Sequence, residues 1–211
     1  MRAAFLALTL FAAGCPADPV PPTPPAVDDG VGAMAPSSRG KLLWKRGPAL
    51  ARGLADALVM PVEDVCQELG RLDCFGDAHQ VPLGGNDAFV RGQYEPLAQP
   101  GSTTSVAFDR VVLAACSQAV EFDLARPTTI VFRGHALTDT PLDPSSDDVI
   151  EGVHVLGQTL TQRLHGRDAQ ISELAALEEL LTDDEGRGVS GKDFAKLACF
   201  AVAATSETLF Y

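Results

Sequence analysis

The stretch DDVIEGVHVLGQTLTQRLHG, residues 147–166, decides the fold class. Ile150, Val153, Gly157, Leu160 and Leu164 recur at alternating steps of three and four, which puts them on one stripe of an α-helix. A strand would need alternation by two. Asp147 or Asp148 can cap the start, and Gly166, free to turn left-handed, ends it. Such a seam must be covered, so further helices are required.

The chain supplies them on both sides. Pro48 suits a first helical position, and Leu50, Leu54 and Leu58 form one face with Asp56 opposite. Pro61 opens a second predicted helix through Val62, Val65, Cys66 and Leu69, stopped by Gly70. Residues 102–105 offer N-caps for a third, on which Val106, Asp109, Val112, Leu113, Cys116 and Val120 follow. Asp109 and Arg110 in its first turns suit the helix dipole, a structural role. Beyond Gly166, Ile171, Leu174, Leu177 and Leu181 make another apolar face, with Glu173, Glu178 and Glu179 largely off it. The last helix runs from about Asp193. Phe194, Leu197, Ala201, Ala204 and Thr208 share a face, and Cys199, Phe200 and Val202 make the other side apolar, which places this helix at the centre of a bundle. Leu209, Phe210 and Tyr211 are expected to dock.

Between the helices, residues 75–101 are punctuated by Gly and Pro and read as loop, with a short extended piece at 79–83 and with Phe89 and Tyr94 pinning the loop to the helices. The LGGN sequence at 83–86 is a turn. Residues 126–148 are irregular, with a β-prone strand candidate at 128–132, and 182–191 form an acidic, Gly-rich loop. The fold class is therefore mostly α: an irregular helical bundle of about five to six helices with long loops, one domain over residues 39–211. Some 170 residues suffice for a single core.

The beginning of the chain is of another kind. Arg2 precedes an apolar run at residues 3–13, too short to span a bilayer, and 1–14 read as a secretory signal peptide. Ala12-Ala13-Gly14-Cys15 resembles the lipobox of bacterial lipoproteins, with Ala12 where leucine is favoured. That resemblance implies cleavage before Cys15 and a diacylglycerol on its sulfur; ordinary cleavage nearby would leave a spare thiol. Residues 15–38, with PVPPTPP at 19–25, cannot build a core and read as a disordered Pro-rich linker. A Pro-rich ligand for a recognition domain is the alternative.

The net charge of −12, or −13 once residues 1–14 and their one arginine are removed, argues against a nucleic-acid partner. Without Cys15 four cysteines remain, an even number that suggests two disulfides in an oxidising compartment. Three connectivities are open. Cys66–Cys74 is the shortest loop, and Cys116–Cys199 would join two apolar helix faces; the other reading leaves Cys116 and Cys199 as small buried thiols.

The chemistry-bearing motifs are few. No C-x-x-C-H, P-loop, G-x-S-x-G or H-E-x-x-H occurs. Asp139, Asp143, Asp147 and Asp148 lack the ordered spacing of a calcium loop. His154 lies beside the seam, where a packed, hydrogen-bonded imidazole is expected over a metal or haem ligand. His165 sits at a helix C-terminus, where a cationic ring is favoured. His79 and His135 fall in loops. No catalytic residue, cofactor or metal site is assigned.

The second half carries one further resemblance. The segments RLHGRD at 163–168, ELAAL at 173–177, DFAKL at 193–197 and TLFY at 208–211 are similar to helical domains of exported planctomycete and myxobacterial proteins that accompany cytochrome-c-like modules. Residues 169–171 lack that pattern's turn prolines, and Ser206-Glu207-Thr208 replaces its usual Ser-Pro-Glu-Phe. The expectation is an exported outer-membrane lipoprotein facing the periplasm or cell surface, a non-catalytic binding or assembly module attached to the membrane by lipid, with an envelope protein as partner. The alternatives are an accessory subunit of an exported redox or cytochrome-type complex, which the resemblance implies, and an enzyme of unknown class.

Overall fold

A computed structural model describes residues 43–210; the signal sequence, Cys15, the Pro-rich linker and Tyr211 lie outside the described residues. Within them the domain is mostly helical. The α-helices are α1 (Gly47–Leu58), α2 (Ser102–Ala125), α3 (Asp147–His165), α4 (Ile171–Glu179), α5 (Gly191–Ala203) and the single turn α6 (Ser206–Leu209), and a π-helical turn, Cys74–Ala78, opens the stretch expected to be loop. The one sheet among the described residues pairs β1 (Gln67–Glu68) antiparallel with β2 (Leu72–Asp73).

Helices α2, α5 and α3 form the centre, and α1 closes the side between α2 and α3. On α2 the buried stripe is Ala107, Phe108, Val111, Val112, Ala115, Cys116, Ala119, Val120 and Asp123. This corrects the predicted phase: Val106 and Leu113 are exposed, because small alanines let α5 approach closely on the face beside them. The same holds on α5. Phe194, Ala195, Ala198, Cys199, Val202 and Ala203 are buried, while Leu197 and Ala201 face outward. Cys116 and Cys199 sit where these faces meet and are joined, Cα–Cα 5.7 Å, with no exposed surface.

The seam of α3 is buried at Val153, Leu156, Gly157, Leu160 and Thr161. A Cβ on Gly157 would lie 2.7 Å from Leu177 Cδ1 and 2.8 Å from Leu174 Cδ2, so glycine here sets how closely α4 packs. Ser146, not Asp147 or Asp148, holds the N-cap position; those two aspartates occupy the first turn, where the dipole favours them. On α4, Leu177 is buried but Ile171 is exposed.

Several sequence expectations fail for identifiable reasons. The predicted helix from Pro61 to Gly70 is only a 3-10 turn, Val62–Asp64, followed by the β1–β2 hairpin. The Cys66–Cys74 disulfide, Cα–Cα 5.6 Å, needs the chain to reverse between its ends, and a continuing helix would carry them apart. Residues 79–83 are turns rather than extended. Phe89 and Tyr94 do not pin their loop; both are exposed, Phe89 on a small excursion closed by an Asp87–Gln93 bridge and Tyr94 just beyond it. The turn at 83–86 is confirmed in use. Gly84 has φ +81°, and a Cβ there would meet the Trp44 ring at 2.7 Å.

Residues 128–132 form no strand. Their donors go elsewhere: Oδ2 of Asp123, 1 % exposed at the end of α2, accepts from the backbone N–H groups of Ile130 (3.1 Å), Val131 (2.8 Å) and Phe132 (2.9 Å). Arg126 Nη1 donates to Asp123 Oδ1 at 2.8 Å, and its Nη2 donates to the Val59 carbonyl at the end of α1. One carboxylate thus replaces the sheet partner that this segment lacks. At the C-terminus Lys45 N–H donates to the Leu209 carbonyl at 2.7 Å and Trp44 bridges to Phe210, so the two ends of the described domain meet.

Candidate functional site: the slot beside His165

Gly166, with φ +69°, stops α3 and turns the chain so that Arg167 follows the helix end. The Arg167 guanidinium is enclosed by two carboxylates. Glu173, on the first turn of α4, takes Nη2 at 2.6 Å and Nη1 at 2.9 Å. Glu207, on α6, takes Nε at 2.9 Å and Nη2 at 3.0 Å. Glu173 also accepts the Gln170 N–H at 2.7 Å, the backward half of a capping box. The turn, α4 and α6 are therefore held by one side chain. Hydrogen bonds from Arg167 push the Glu173 carboxyl down to about 2, and the same donor lowers Glu207. The two carboxylates in turn raise Arg167 above its ordinary value.

His165 lies under this cluster with its side chain 2 % exposed. Its Nε2 is 3.1 Å from both Thr205 Oγ1 and Thr208 Oγ1. Its Nδ1 is 3.3 Å from Glu207 Oε2 but has no hydrogen-bond partner, because the alignment is poor. Burial lowers the imidazole pKa, and Glu207 opposes that without cancelling it. This runs against the expectation of a helix-end cation: desolvation is the largest influence on the ring, and the Arg167 and Lys45 charges act in the same direction.

Beside His165 opens a slot of about 300 Å³ between α3, α4 and α5. Leu177 and Val202, both buried, and Leu180 give it apolar walls; Ala176 and Ala201 form the rim. Thr161, His165, Glu173 and Thr205 are the polar groups. Thr161 spends its hydroxyl proton on the Gly157 carbonyl at 2.9 Å, and Glu173 is held by Arg167. Thr205 and His165 are left as the groups that can turn toward a guest. A second concavity, about 940 Å³ and wide open, lies against the Cys66–Cys74 hairpin and mixes Arg52 and Arg71 with Glu63, Asp73 and Asp77.

The other singled-out residues are dispersed. His154 Nε2 bonds Glu178 Oε1 between α3 and α4; the ring is hydrogen-bonded as expected, but it is half-exposed rather than packed in the core. His79 Nε2 is 2.7 Å from Glu68 Oε1, which also pairs with Arg110 Nε at 3.0 Å; Arg110 so ties the hairpin to α2. His135 Nε2 contacts the Gly191 carbonyl at 2.9 Å and its ring lies against Phe194; burial lowers its pKa. Asp139 pairs with Lys192, and Asp143 accepts from Ser145. Among the described residues no group of three His, Cys, Asp or Glu side chains is placed to hold a metal ion, and no helix is long and apolar enough to cross a membrane.

Sequence reasoning missed Thr205, Glu207 and the slot. Residues of the RLHGRD and ELAAL segments, with Glu207 and Thr208, do converge here, but α6 meets α3 only through tertiary packing. Comparison with protein-family models, with curated proteins and with solved structures returned no match for this chain.

Proposed function

We propose that the chain is an exported, lipid-anchored protein of the cell envelope whose helical domain binds a ligand or partner and is not an enzyme. The observation that carries this is the pair of cystines. Cys116–Cys199 is wholly buried between the two central helices, and disulfides persist in oxidising compartments. The lipobox-like sequence before Cys15, the Pro-rich linker and the net negative charge fit a domain held off a membrane. The slot supports binding because it is apolar with few free polar groups. The test is radiolabelled-palmitate incorporation into the full chain and its Cys15→Ala variant in a Gram-negative host. Label in the first and none in the second supports the reading; a soluble, unlabelled parent chain contradicts it.

One observation favours a second reading. Thr205 Oγ1, His165 Nε2 and Glu207 form a hydroxyl–imidazole–carboxylate series with the outlines of an acyl-transfer triad. Against it, Thr208 shares the same nitrogen, and Glu207 is held by Arg167 rather than aligned on Nδ1. Covalent labelling of Thr205 by a fluorophosphonate would establish it; an unlabelled protein removes it.

A further inference from the structure

Resting on the binding reading above, we propose that the slot takes one small neutral molecule: an apolar ring or short branched chain carrying a single hydroxyl or carbonyl. Size comes first. About 300 Å³ is the low end of ligand pockets and, at the packing density of a protein interior, holds roughly a dozen non-hydrogen atoms. Charge comes second. Among the residues that line the slot Glu173 is the one carboxylate and no lysine or arginine lines it, so an anionic guest meets negative charge and no cationic partner there. A cationic guest would leave water for the walls formed by Leu177, Leu180 and Val202, a heavy desolvation penalty. The polar handle comes third. Thr205 lines the slot with a hydroxyl whose one neighbour is the neutral-leaning imidazole of His165, so it can accept from, or donate to, a guest oxygen. The walls give affinity and Thr205 gives orientation.

The test uses the full chain, purified without reductant, and three probes of one shape: 1-naphthol, the anion 1-naphthoate and the cation 1-naphthylmethylammonium. Calorimetry and amide NMR shifts are read together. 1-Naphthol is expected to saturate at roughly 0.1–1 mM, a range suited to so small a ligand, shifting the Leu177 and Val202 amides. Both charged probes should bind at least about tenfold more weakly. Ala201→Trp and Ala176→Trp change exposed rim residues on different helices, so each should keep the parent melting temperature while abolishing binding. No saturable shift in the parent, equal affinity for naphthoate, or binding undiminished in both folded tryptophan variants would overturn the proposal. Acylation is measured separately, so failure here is distinguishable from failure of the export reading.

Discussion

Replacing Asp123 by alanine should be among the most damaging single changes in the domain. The substitution removes the acceptor of three consecutive backbone N–H groups, of which Val131 and Phe132 are fully buried. A buried donor left without a partner costs about 1–3 kcal/mol. Two such donors give about 4 kcal/mol, with Ile130 and Arg126 counted low because both retain access to water. Against a typical total of 5–15 kcal/mol this is a large fraction. For a domain of this size it corresponds to a fall of about 8–16 °C in melting temperature. Asp123→Asn keeps one carbonyl oxygen and should lose about half as much. The assay is urea unfolding under non-reducing conditions, followed by far-UV circular dichroism and by fluorescence of Trp44, the chain's one tryptophan, which is buried. An alanine variant within about 1 kcal/mol of the parent would refute the reasoning, because it would mean that residues 130–132 have other partners for their donors.

Reduction of the cystines should destabilise unequally. Chain-entropy arguments give about 2.5 kcal/mol for the eight-residue separation of Cys66–Cys74 and about 4.5 kcal/mol for the 83-residue separation of Cys116–Cys199; unfolding of the Cys66→Ala/Cys74→Ala and Cys116→Ala/Cys199→Ala variants checks the order. Acid should loosen the α3–α4 turn. The Glu173 carboxyl is held below its unfolded value, so its contribution is complete above about pH 4.5 and is lost as pH falls toward 2. Melting of the parent across that range should fall more steeply than that of Arg167→Ala, which lacks the donor. Phe89→Ser should leave stability within about 0.5 kcal/mol of the parent, since the ring is fully exposed; a larger loss in urea unfolding would show that it packs after all.

Periodicity made the helices legible wherever a helix buries only one stripe. The seam of α3 and the Gly166 stop were readable for that reason, as was the leucine face of α1. On α2 and α5 the apolar residues run around most of the helix, so spacing could not choose the buried face; alanine did, through close approach. The hairpin between Cys66 and Cys74 hid under a helix-like pattern because the disulfide overrides local preference there. One clue to Asp123 was present: it falls in phase with Cys116 and Val120, in the last turn of a helix where the dipole disfavours an acid. Nothing local pointed to the slot. Thr205 and Glu207 lie some forty residues beyond His165 and meet it only through the fold.

The most direct test of the central claim is the intact mass of the protein taken from membranes of an expressing Gram-negative cell, after thiol alkylation without reductant. The predicted species begins at an acylated Cys15 and carries no alkyl group on Cys66, Cys74, Cys116 or Cys199. A chain that begins at Met1 with all four of those thiols alkylated would contradict it.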